Sequence, residues 1–162
     1  MEPQRYFAHE AGHAVAALAM GYKVCFVMRG PIWRASERSG FVRARGYYQG
    51  LTRWMQGQDS LDNDAVKISG FVGEHVLAGT EPDLAEFRSR RSYKSDRDQM
   101  AGSDVHALSR SRAILESNRE ALAAMRDTLR DAGFRTVQEE DLRPVRERVT
   151  LVGRPEEADG AF

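Results

Sequence analysis

The sequence predicts an α+β fold, mainly α-helical: a motif helix near the N-terminus, a small β-sheet beside it and a C-terminal helical bundle. Three observations carry this expectation. Small and apolar residues run from Ala8 to Met20 between Pro3 and Gly21, which suit a helix start and stop. Two short segments, 23–28 and 40–45, read as strands. Beyond residue 60, apolar residues recur at helical spacing with capping residues between the runs.

The first helix spans about Pro3 to Met20. Gly12 in its interior costs roughly 1 kcal/mol relative to alanine, so a close neighbour is expected there. Lys23 to Met28 reads as a buried strand, closed by Arg29-Gly30-Pro31. After a polar turn at Ala35–Ser39, the stretch Gly40 to Arg45 alternates: Phe41, Arg43 and Arg45 share one face, Val42 and Ala44 the other. Asp62 or Asn63 can cap a second helix that runs to about Ala78 before Gly79, with Ala65, Ile68, Val72 and Val76 inward. Residues 80–103 are charged and poor in apolar residues, so they read as a mobile polar flap with at most a helical turn near Leu84–Phe87. Ser103 or Asp104 can cap a third helix to about Ser117. Asn118 opens a fourth with a stripe of Leu122, Met125, Leu129 and Ala132, ended by Gly133. Thr136 to Glu139 has capping-box spacing for a last short helix, which Pro144 ends or kinks.

The 162 residues suffice for one domain, expected over 1–152 with a frayed tail at 153–162. Basic and acidic residues number 24 each, which gives no global electrostatic case for nucleic acid or a membrane surface. The charge is uneven: residues 1–58 carry eight Arg and Lys against three Glu, a basic edge. Cys25 is the single cysteine, in an apolar run, so no internal disulfide framework exists. No apolar run is long enough for a membrane span and none resembles a signal peptide. A cytoplasmic protein is the simplest expectation.

Two of the four histidines stand in His9-Glu10-Ala11-Gly12-His13. Positions i and i+4 share a helix face, so His9 and His13 can converge on one ion. Glu10, next to the first ligand, can reach water on that ion and act as a general base. A catalytic zinc site needs a third protein ligand and an open position. Glu74 and Asp104 are the carboxylate candidates, and spacing does not decide between them.

The segment His9 to Val15 resembles the protease domain of the FtsH-type ATP-dependent zinc proteases. Lys23 to Gly30 is similar to that family's strand and turn after the motif helix, and Ser39 to Val42 to its substrate-side strand. Gly73-Glu74-His75-Val76-Leu77-Ala78-Gly79 resembles its second-helix signature, with His75 where an acid is common. Ala101-Gly102-Ser103-Asp104 resembles the segment that carries its aspartate ligand. Residues 118–122 and 139–142 also fit, so the likeness covers roughly 4–143. It implies a zincin-like helix and one zinc held by His9, His13 and Asp104, with Glu74 behind a histidine and Glu10 as base. The implied activity is endopeptidase cleavage of unfolded or extended polypeptides, which pair with the 40–45 strand. A separate ATPase or a homo-oligomer is the implied partner. A zinc-stabilised binding module derived from a protease, and a non-proteolytic zinc hydrolase, are the alternatives.

Overall fold

The computed structural model describes residues 3–22, 24, 60–132, 137 and 139–152. The expected strands at 23–28 and 40–45, the turn between them, and the tail 153–162 lie outside these, except for Val24, which is buried. Among the described residues seven α-helices follow in order: α1 Pro3–Ala19, α2 Ser60–Ala78, α3 Leu84–Ser89, α4 Lys94–Gln99, α5 Asp104–Ser117, α6 Arg119–Asp131 and α7 Glu139–Arg146. A 3-10 turn, Arg91–Tyr93, joins α3 to α4.

There is no strand among the described residues, so the fold class is corrected from α+β with a small sheet to mainly α. The reason lies in what surrounds α1. From Phe7 to Met20 every residue is buried, and α1 packs against α2, α5 and α6. A helix covered on all sides is a central element. Among the described residues it is α2, α6 and α5 that cover the motif helix.

Both glycines that end the first two helices take a left-handed conformation, Gly21 at φ 78° and Gly79 at φ 70°. Tyr22 N donates to Ala17 O at 2.9 Å and Thr80 N to His75 O at 3.0 Å, so each end closes as a Schellman motif. Val152 N reaches back to Ala19 O at 2.8 Å, and Arg119 Nη2 to Val76 O at 2.6 Å. The last carbonyls of α1 and α2 are thus satisfied by distant parts of the chain.

α1 and α2 cross backbone to backbone. A Cβ on Gly12 would lie 2.0 Å from Ser69 O, and one on Gly73 would lie 2.9 Å from Gly12 Cα. This is the close neighbour that a mid-helix glycine implied. Leu122, Met125 and Leu129 of α6 are fully buried, and α7 adds Leu142 and Val145 to the same core. Pro144 lies inside α7, which continues two residues past it.

The region 80–103 is ordered by a few inward residues. Asp83 caps α3, accepting from Ala85 N at 2.8 Å. Phe87 and Tyr93 are buried against Phe71, with ring centroids at 5.3 and 5.0 Å. Arg97 Nη1 donates to Phe87 O at 2.5 Å and Arg90 O at 2.7 Å, which ties α4 back onto α3. Asp64 of α2 accepts from Ala101 N at 2.9 Å and Gly102 N at 2.7 Å, fixing the far end. The expected mobile flap is corrected to a packed clip.

Candidate metal centre

His9 and His13 sit one turn apart on the buried middle of α1, each 5% exposed or less. Their Nε2 atoms face each other at 3.1 Å. His9 Nδ1 is 2.7 Å from Glu74 Oε1 and His13 Nδ1 is 2.7 Å from Val66 O. Both partners accept hydrogen bonds, so each ring keeps a proton on Nδ1 and faces the other with Nε2. Two Nε2 atoms at this distance need either a proton or a metal ion between them.

A carboxylate completes the constellation. Asp96, 4% exposed, places Oδ2 at 3.2 Å from His9 Nε2 and 3.7 Å from His13 Nε2. Among the described residues, His9, His13 and Asp96 form the group whose ligand atoms lie within 4.8 Å of one another. Donors held 2.0–2.1 Å from a tetrahedral zinc are separated by about 3.3 Å, and the three distances here bracket that value.

Gly70 of α2 leaves the space open. A Cβ there would stand 2.5 Å from His9 Nε2 and 2.5 Å from His13 Nε2. Nitrogen, nitrogen and carboxylate oxygen suit zinc. The residues present fit a divalent ion.

Electrostatics point the same way. Burial alone would push both histidines down, yet hydrogen bonds to Asp96 and Glu74, with the charge of Glu10, carry His9 up to about 10. Burial and the neighbouring His9 push His13 down to about 4, against the pull of Asp96. Without metal, one proton on His9 supplies the positive charge that this place requires. Glu74 is buried, which raises a carboxyl, but bonds from His9, Arg5 and Tyr93 outweigh burial and hold it below its usual range.

The structure places the residues singled out in the sequence as follows. His9 and His13 converge, Glu10 is buried beside them at 4% exposure, and Glu74 stands behind His9. Asp104 is not brought to the histidines. It is the first residue of α5, and Arg88 grips its carboxylate with bonds of 2.7 and 2.8 Å at the surface. That ion pair, together with the favourable helix N-terminus, satisfies Asp104 where it is. Asp96 occupies the third corner instead. Sequence reasoning passed over it because it lies among charged residues, in Lys94-Ser95-Asp96-Arg97-Asp98. The available signal was Tyr93 three residues earlier: i and i+3 share a helix face, and a large aromatic in a polar run marks the inward side.

Comparisons with protein-family models, with curated proteins and with solved structures return no match for this chain. No described helix is long and apolar enough to cross a membrane.

Proposed function

We propose that this chain is a zinc-dependent hydrolase that cleaves peptide bonds in unfolded or extended polypeptides. The observation that carries the reading is the convergence of His9 Nε2, His13 Nε2 and Asp96 Oδ2 within bonding reach of one ion, beside Glu10. The resemblance of His9 to Val15 to FtsH-type proteases supplies the substrate class, with Asp96 taking the ligand role first assigned to Asp104.

When bound, zinc supplies Lewis acidity that makes water nucleophilic near neutral pH. Glu10 follows a ligand by one residue, where a carboxylate can accept the proton of the attacking water. As the carbon–oxygen bond forms and the carbon–nitrogen bond breaks, Glu10 returns that proton to the leaving amine. Glu74 and Val66 O keep His9 and His13 oriented through both steps. A ferrous ion also accepts two histidines and a carboxylate; a base beside the first ligand favours hydrolysis. Pairing of substrate with the 40–45 segment belongs to residues outside those described.

The test is Glu10→Gln with casein as unfolded substrate. The variant should keep about one zinc per chain while turnover falls by ~100-fold or more. Unchanged, chelator-sensitive cleavage by the variant would mean another base acts. A zinc-loaded wild-type chain that cleaves neither casein nor peptides would favour the binding-module reading.

A further inference from the structure

Glu74 is held from three sides. Its Oε1 accepts from His9 Nδ1 at 2.7 Å. Its Oε2 accepts from Arg5 Nε, and from the Tyr93 hydroxyl at 2.8 Å. Arg5 is itself fixed: Nη2 donates to Glu86 Oε1 at 2.8 Å and to Tyr93 Oη at 2.5 Å. Tyr93 is fully buried, with Phe71 at 5.0 Å and Phe87 at 5.8 Å between ring centroids. Its ring also lies nearly parallel to that of His9, at 5.9 Å and 15°.

We propose that Arg5 and Tyr93 are positioning residues of the metal centre: together they clamp Glu74 so that it holds His9 in the one tautomer and orientation that presents Nε2 to an ion. The inference rests on the metal-site reading above and extends it by one layer.

Two features separate this role from simple packing. The histidines are supported unequally. His13 leans on the neutral carbonyl of Val66, whereas His9 leans on a carboxylate that is itself charge-paired with Arg5. The clamp and the ligand also arrive on one piece of chain. Residues 84–99 supply Glu86, which holds Arg5; Tyr93, which holds Glu74 and covers His9; and Asp96, which faces His9 Nε2. Docking this clip sets Asp96 against His9 Nε2 and braces the Glu74 carboxylate that holds His9 Nδ1. A buried carboxylate with only one oxygen engaged could pivot; three donors on two oxygens leave it a single pose.

The experiment measures zinc affinity by competition with a chromogenic chelator, and the absorption bands of the cobalt-substituted protein. The variants are Tyr93→Phe, Arg5→Lys, Arg5→Met, Glu74→Gln and the Glu74→Gln/Tyr93→Phe pair. Tyr93→Phe keeps the ring and its packing and removes only the hydroxyl. It should weaken zinc by about 3–10-fold, and Arg5→Met by about 10-fold or more, approaching the 10–100-fold typical of a lost supporting group. Arg5→Lys should fall between wild type and Arg5→Met. The cobalt bands should shift in Tyr93→Phe, a readout that loss of packing elsewhere would not move. In the Glu74→Gln background Tyr93→Phe should change affinity by less than about twofold, because the two act through one group. Unchanged affinity and spectra in Tyr93→Phe and Arg5→Lys, or full additivity with Glu74→Gln, would overturn the proposal, and these variants decide even if Arg5→Met fails to fold. A wild-type titration without zinc binding would overturn the metal reading itself, and this one with it.

Discussion

Gly70→Ala is the sharpest perturbation of the centre, because it adds one carbon where the two ligand nitrogens meet. The new Cβ would stand 2.5 Å from His9 Nε2, His9 Cε1 and His13 Nε2, whereas such contacts are essentially never below 3.0 Å. Each ring must therefore retreat by about 0.5 Å or more (3.0 − 2.5), beyond the ~0.2 Å that metal–ligand distances tolerate. We expect zinc affinity to fall by ~100-fold or more. At zinc 100-fold above the wild-type Kd, binding adds about 2.7 kcal/mol of stability. For a domain of this size that raises Tm by roughly 5–11 °C. In Gly70→Ala the same zinc stands at about its own Kd and adds only about 0.4 kcal/mol, a shift of roughly 1–2 °C. The helix itself gains up to ~1 kcal/mol from alanine, so the metal-free variant need not melt lower, which separates loss of the site from loss of the fold. Thermal melts of both proteins with and without zinc read this directly. An undiminished zinc shift in Gly70→Ala would refute the placement of the ion between the two Nε2 atoms.

Two further outcomes follow from the same geometry. Zinc binding at pH 7.5 should release about one proton: His9, pushed up to about 10, holds one on Nε2 that the ion must displace, while His13, pushed down to about 4, holds none. Calorimetry in buffers of different ionisation enthalpy should give a slope near one, and a slope near zero would mean that His9 holds no second proton in the metal-free protein. Gly12→Ala should destabilise the metal-free fold by about 2 kcal/mol or more despite its helix propensity, since its Cβ would meet Ser69 O at 2.0 Å; a denaturant midpoint equal to wild type would contradict the backbone-to-backbone crossing.

Much of the helical frame was legible because local signals and burial agreed. α1 stops at Gly21 and α2 at Gly79, where only a left-handed residue closes the helix. Ser103, one of two cap candidates, caps α5 through its side chain, accepting from His106 N at 3.4 Å. The i, i+4 histidines converge because helix geometry leaves them no other relation. What failed was long-range. The clip at 80–103 reads as solvated chain because its order comes from Phe87, Tyr93 and Asp96 inserting against residues of α1 and α2, contacts that no local pattern encodes. Asp104 has a helix-start position and a family-like neighbourhood, but Arg88, sixteen residues away, claims its carboxylate. Among the described residues no strand stands beside α1, which packs against α2, α5 and α6. Apolar runs near a buried helix do not reveal which elements cover it.

In the proposed centre His9, His13 and Asp96 hold one divalent ion. Its most direct test is zinc content and affinity, measured side by side for wild type, Asp96→Ala and Asp104→Ala. Wild type should hold one zinc per chain, Asp96→Ala should lose it, and Asp104→Ala should keep near-wild-type affinity, since only a surface pair with Arg88 is removed. Retention of zinc by Asp96→Ala and its loss from Asp104→Ala would show that Asp96 is not a ligand.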